Sequence, residues 1–405
     1  MKQNIENKYK DRLTKIMRTQ LNAKNKIKAI NTWAIPTLTY SFGVIQWTKT
    51  DIQAIDRLTR RTLTSNRALH PNSAIERLYL PRKQGGRGLI NIEAAHNIQI
   101  HKLQTYFNTK AIHSKLHASI NQADNKYTPL SAHTQVQHTD KKTFITNLAQ
   151  EWSSKKLHSQ FKTNLNKQHP LSTKWMEIGQ LYIETEGFMY AIQDQVIPTK
   201  NYQKYISKIN TGSDSCRMCK STSETIQHIT SGCPSLAQTE YLNRHNLTAK
   251  ILHKYLLQKY NIKSTQEPYY KHIPEPVHEN KNYKIYWDRS IITDKIITNN
   301  RPDIVTIDKI HRITTLIDIA HPLDHNIQKT IAEKIRKYTD LSEEIKMMWK
   351  MEKVLILPII ISVTGLIPSE LYTEFKKHNL PIQVIIDMQK STVLETCRIV
   401  RKVMH

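Results

Sequence analysis

The chain has 405 residues, with 60 Lys and Arg against 34 Asp and Glu, a net charge of +26 and a pI near 9.7. That length allows roughly two to four domains. The charge favours a polyanionic partner, nucleic acid first, and leaves a merely basic soluble protein or a membrane-surface binder as the bland alternative. A membrane span of about 20 apolar residues is excluded: the longest apolar run, Val354 to Val363, is interrupted by Pro358 and reads as a core strand. The N-terminus is polar and basic, unlike a secretory signal. Three of the four cysteines fall between Cys216 and Cys233, which is metal-ligand usage in a reducing compartment and not a disulfide framework.

In chain order, residues 1–66 read as helices. Leu13, Ile16, Met17, Leu21, Ile27 and Ile30 recur at helical spacing, and the first 100 residues hold 18 basic against 6 acidic side chains, so this end should face the polyanion. Thr50 or Asp51 is the expected cap of a helix through Ile52, Ile55, Leu58 and Leu63, whose other face carries Arg57, Arg60 and Arg61. Leu80 to Leu89 breaks the pattern with Gly85, Gly86 and Gly88. Its interleaved Arg82, Lys83 and Arg87 are nucleic-acid-binding candidates, and replacing an arginine there should weaken binding without melting the fold. Residues 114–147, polar and aperiodic, read as a surface linker or insertion. Helical character returns from Trp152 to Tyr205.

Next come Cys216, Cys219, His228 and Cys233, three thiolates and one imidazole. Such a set closes a tetrahedral zinc shell with no position left for substrate, so the ion would be structural. Gly232 is expected to permit the return turn. His228 is the weakest member, because His245 follows it. Lys220 and Arg217 flank the set, and Cys397 reads as a core residue beside Val393, Val400 and Met404.

After Pro268 to Pro276 the last domain reads as strands at 302–308 and 313–320, a helix at 326–350, a strand at 353–363, a helix at 369–378, a strand at 382–386 and a helix at 388–403. In the long helix, Ile327, Ile331, Ile335, Tyr338, Leu341, Ile345 and Met348 make one stripe. Lys334 falls inside that stripe and Lys337 at its edge. A buried ammonium needs an anion. Asp303 and Asp318, each in a strand-like apolar run, are the candidates. Two carboxylates that hold Mg²⁺ against a phosphate, with a lysine nearby, form the PD-(D/E)xK pattern of restriction-type nucleases. The usual lysine position after Asp318 is Ala320, so that role would pass to Lys334 or Lys337. Glu279 and Arg289 are candidates for outer or DNA contacts, whereas Asp308, Asp324 and Asp387 read as turn or capping residues.

Taken together, the basic helical segment, Pro81-Arg82 followed by Gly85-Gly86-Arg87-Gly88-Leu89, the Cys-Cys-His-Cys set, Arg301-Pro302-Asp303, Leu316-Ile317-Asp318 and Lys334 with Lys337-Tyr338 carry a likeness over nearly the whole chain. It resembles the C-terminal half of polyproteins from non-LTR retrotransposons of the restriction-like-endonuclease class, the R-two-like group. The resemblance implies a multidomain chain: 1–100 a reverse-transcriptase thumb-like helical region including Asn31 to Trp47, 101–210 a helical linker, 211–260 a zinc knuckle with its following helix, and 265–405 an α/β restriction-endonuclease-like domain. It implies Asp303, Asp318, Lys334 and Lys337 as catalytic, with Mg²⁺ on the aspartates and zinc on the knuckle. The activity implied is nicking of target DNA to prime reverse transcription, in the nucleus, with target DNA and element RNA as partners and self-association for second-strand cleavage. No Asp-Asp pair occurs, so the polymerase palm signature is missing and DNA synthesis by this chain alone is not expected. The competing expectations are a non-catalytic zinc-knuckle nucleic-acid-binding remnant and a protein that coats element RNA.

Overall fold

The structure, a computed structural model, describes residues 1–124, 128, 140–209, 212–263 and 266–404. Much of the polar insertion expected at 114–147 lies outside the described residues. Its flanks are helices, Lys115–Ala123 and Lys141–Ser154. The chain divides into two compact units, one of residues 1–163 with 176–196 and one of 164–175 with 197–405.

The first unit is helical among the described residues: α1 (Lys2–Arg18), α2 (Ala23–Ala29), α3 (Lys49–Ser65), α4 (Ile75–Tyr79), α5 (Ile92–Ala111), α6 (Lys115–Ala123), α7 (Lys141–Ser154), part of α8 (Ser159–Leu165) and of α9 (Lys174–Ile178), and α10 (Ile183–Gln193). Leu13, Ile16 and Met17 of α1 and Ile52, Ile55 and Leu63 of α3 are buried, as their spacing requires. The cap of α3 is Thr48, not Thr50 or Asp51: its side chain accepts from Asp51 N–H while the Asp51 carboxylate accepts from Thr48 N–H.

The glycine loop turns inward. A side chain at Gly86 would stand 2.1 Å from the Leu80 carbonyl oxygen, so only glycine fits. Arg87 is buried, its Nε donates to Glu186 at 2.9 Å and its Nη1 donates to the Ala68 carbonyl. Arg82 reaches the same carboxylate at 2.7 Å. Glu186 is fully buried, so the two guanidiniums are the counter-charges of an interior carboxylate. Two of the three side chains expected to reach nucleic acid are therefore spent inside the unit; Lys83 alone of the three is exposed.

The second unit holds the short helix α11 (Lys200–Tyr205) and a five-stranded mixed sheet: β1 (Val277–Glu279), β2 (Tyr283–Trp287), β3 (Ile304–Asp308), β4 (Ile313–Ala320) and β5 (Lys353–Ile360), in that spatial order. Neighbours are antiparallel except β4 and β5, which are parallel and joined through α13 (Ile327–Met348). Side chains alternate across the sheet. Val305, Ile307 and Leu316 pack against Tyr338, Leu341 and Ile345 of α13. On the other face Ile304, Ile317, Ile319 and Leu357 pack against α12 (Leu242–Lys259), α14 (Ser369–Lys377) and α15 (Ile382–Met404), the last two following α13 in the chain.

The strand expected at 382–386 is the first turn and more of α15, and the sequence gives no warning of β1 and β2. Asp387 lies on the surface of that helix, accepting from Gln383, and is neither a turn nor a cap residue. Asp308 does close a turn, accepting from the Ile310 and His311 N–H groups. Cys397 is buried in α15, as its stripe suggests. No helix among the described residues is long and apolar enough to cross a membrane.

Candidate functional site

Two clusters in the second unit carry chemistry. The first is the cysteine–histidine set. Its four ligand atoms all lie within 4.8 Å of one another. Cys216 Sγ is 3.9 Å from Cys233 Sγ, and Cys219 Sγ is 3.3 Å from His228 Nε2. These are the edge lengths of a tetrahedron around one ion bonded at about 2.0–2.3 Å. The donor set therefore fits, and the site can hold a zinc ion.

Local structure explains why. Ser215 and Ser223 bridge the two arms, and Lys220 takes a left-handed conformation (φ 59°) so that its N–H reaches the Cys216 carbonyl at 2.8 Å. Gly232 is not in that conformation, and a Cβ there would meet His228 Nδ1 at an ordinary 3.5 Å, so the return turn does not require glycine. Buried Glu224 accepts from Arg217 N–H, from both ends of its guanidinium and from Lys200 N–H. Arg217 is thereby a brace for the knuckle. The Ser221 hydroxyl and nearby N–H groups hold the Cys219 thiol down to about 5, whereas burial pushes Cys233 up to about 11.

The second cluster sits at one end of β3 and β4. Ile304 pairs with Ile317, so continuing the antiparallel register by one residue sets Asp303 across from Asp318. Period-two alternation puts both on the face of Val305 and Leu316, under α13. Asp303 Oδ2 accepts from Ile319 N–H at 2.6 Å. Asp318 is buried, with Lys334 Nζ 2.5 Å from Oδ2 and Lys337 Nζ 3.3 Å from Oδ1. Tyr338 donates to Oδ1 at 2.6 Å. Burial alone would raise the Asp318 pKa, but the Lys334 ammonium, the Tyr338 hydroxyl and Lys337 outweigh it and hold the carboxyl below its ordinary range. Tyr338, buried beside that carboxylate, is pushed far up and stays a neutral donor.

Sequence reasoning thus finds four residues that lie together. It misses two. Tyr338 stands in the sequence as an apolar stripe residue and as the neighbour of Lys337, with no role of its own. His245, near the start of α12, reads there as a rival zinc ligand, but its Nε2 lies 3.2 Å from Asp303 Oδ1. Burial would depress this imidazole, yet the Asp303 hydrogen bond and charge, with Asp318 beyond, leave its pKa raised. Nothing in the local sequence of α12 marks it, because the approach of α12 to the strand end is a tertiary event.

Of the outer candidates, Arg289 is exposed just past β2. Glu279 sits at the opposite sheet end from Asp303, paired with Lys284 and Lys309, away from the acidic pair. Asp324, just before α13, accepts from the Thr364 hydroxyl at 2.6 Å. No family model matches this chain, and no curated protein matches it.

Proposed function

We propose that the second unit is a Mg²⁺-dependent DNA endonuclease of the restriction-like class, and that the chain is the C-terminal portion of a non-LTR retrotransposon protein. The observation that carries this reading is the meeting of Asp303, Asp318, Lys334 and Lys337 at one sheet end. The donor chemistry suits a hard divalent ion, which takes one or two carboxylates and leaves its other positions to water and phosphate. Asp303 and Asp318 would hold it. Such an ion supplies an activated water and neutralises charge on the phosphate.

The chain's own groups do the rest. Lys334 and Lys337 offer ammoniums beside the carboxylates, where a phosphate oxygen gains negative charge. Tyr338 fixes the Asp318 carboxylate, and the Ile319 N–H fixes Asp303. The knuckle, with zinc at Cys216, Cys219, His228 and Cys233, would hold nucleic acid near the cut. Target DNA and element RNA are the partners this reading requires, the nucleus its place of action, and pairing of copies its route to second-strand cleavage. A nick made this way leaves a 3′-hydroxyl. The test is whether a polymerase extends the nicked product directly; ends that need a phosphatase first would rule the mechanism out.

One observation favours a second reading. Asp318 already stands against two ammoniums and a phenol. That closed arrangement suits a structural ion network in a non-catalytic, zinc-knuckle nucleic-acid-binding remnant. DNA binding with no cleavage in Mg²⁺ or Mn²⁺ would select it.

A further inference from the structure

The arginine face of α3 borders a cavity of about 460 Å³ in the first unit. Arg57 and Arg61 stand exposed at its rim with no acidic partner among the described residues, while Arg60 is tied to Asp56 and to Tyr79. The wall is apolar where Leu69, Pro71 and Ile75 line it, and Ile75 is 42% exposed, a large aliphatic side chain left facing the opening. Ser73 also lines the cavity. It is only 6% exposed, and its Oγ has no hydrogen-bond partner. A buried hydroxyl without a partner lacks what nearly all such groups have. The adjoining cavity shares Arg57, Arg60 and Ile75 but is lined by Asp56, Glu76, Glu93 and Glu151, so an anion is confined to the first.

Two free guanidiniums, an apolar wall and one unsatisfied hydroxyl match the three parts of a nucleotide: phosphate, base and a polar edge. We propose that this cavity is a binding site for one nucleotide unit of a single strand, its phosphate on Arg57 and Arg61, its base against Leu69, Pro71 and Ile75, and a polar atom on Ser73. Binding here does not require the second unit to cut DNA.

The test is fluorescence anisotropy of the full chain with a labelled ten-residue deoxyadenosine strand in metal-free buffer. Arg57→Glu with Arg61→Glu should weaken binding at least tenfold and make the salt dependence shallower by about 0.7 unit, the value for one phosphate of a single strand no longer neutralised. The charge-matched control, Lys8→Glu with Lys10→Glu on exposed positions of α1, should cost less than threefold. Deoxyadenosine monophosphate should displace the strand at concentrations where inorganic phosphate does not, and Ser73→Ala should weaken that competition without lowering the Tm. Should the glutamate pair unfold the unit, Arg57→Gln with Arg61→Gln replaces it, with about half the loss expected on a logarithmic scale. Equal losses from the site and control variants would reduce the effect to the general basic field and overturn the proposal. So would displacement by inorganic phosphate as effective as by the nucleotide.

Discussion

Lys334 shows what one side chain out of pattern can reveal. Its place in the stripe puts it on a buried face and demands an anion. The anion is Asp318, 2.5 Å away. The stripe itself is only half right: Tyr338, Leu341 and Ile345 are buried, but Ile331 is half-buried and Ile335 is 45% exposed. The N-terminal half of α13 overhangs the strand ends where the carboxylates lie, so Lys334 borders an electrostatic site and not an oily core. Periodicity reports which face a residue is on, not where along the helix the core stops. At this scale two outcomes are expected. Lys334→Ala should lower nicking by on the order of 10²–10³-fold, the loss seen when one transition-state donor is removed. Arg87→Ala should destabilise the first unit by about 3–5 kcal/mol, because Glu186 loses one of two counter-charges in the interior. A chemical denaturation midpoint equal to wild type would show that the Arg87–Glu186 pair is energetically idle.

Among elements, those with a strong local signal are legible in the sequence and those defined by neighbours are not. The stretches 302–308, 313–320 and 326–350 are strand, strand and helix, to within a residue or two. The knuckle follows from ligand spacing alone, since chelation is local. Val384-Ile385-Ile386 reads as a strand from its β-branched content, yet it belongs to α15, where buried faces of the following turns extend the helix backward. β1 and β2 are short and rich in His, Lys and Tyr, and only pairing with β3 makes them strands.

His253 of α12, His272 and His278 of β1 are buried, with the His253 ring against the other two. Burial, with His272 and His278 close by, pushes His253 down to about 3, and burial also lowers the other two. These imidazoles are neutral in the fold, whereas the unfolded chain takes up protons near pH 6.5. Their contribution to stability is therefore whole above about pH 6.5 and is lost progressively as the pH falls toward 3. The Tm of the second unit should fall over that window, and His253→Phe should flatten the fall; an unchanged slope in the variant would exclude this histidine as its source. For the knuckle, a zinc chelator should release residues 214–247 to rapid hydrogen exchange and leave β3 and β4 protected. Exchange there should slow again on adding zinc, because Tyr241 ties Cys233, His228 and Ile229 to the site. Knuckle exchange indifferent to chelator and zinc would mean that the fold of this segment rests on Arg217–Glu224 and Tyr241 without an ion.

For the molecule as a whole, a net charge of +26 favours the proposed nucleic-acid partner, and the structure shows which of two sets of arginines stays exposed. The glycine-loop arginines, obvious in the sequence, are consumed by Glu186, while Arg57 and Arg61 remain exposed. No sequence pattern separates the two cases, since Glu186 lies about a hundred residues from its partners. The geometry that matters most is the acidic pair under α13, and it yields to one comparison. Supercoiled plasmid is incubated with Mg²⁺ and with wild type, Asp303→Asn or Asp318→Asn, each first matched for DNA binding in Ca²⁺. Open-circular product is expected from wild type and none above background from either variant, although all three bind. Equal conversion by the three proteins, or an inert wild type that binds as tightly as its variants, would contradict a catalytic role for the pair.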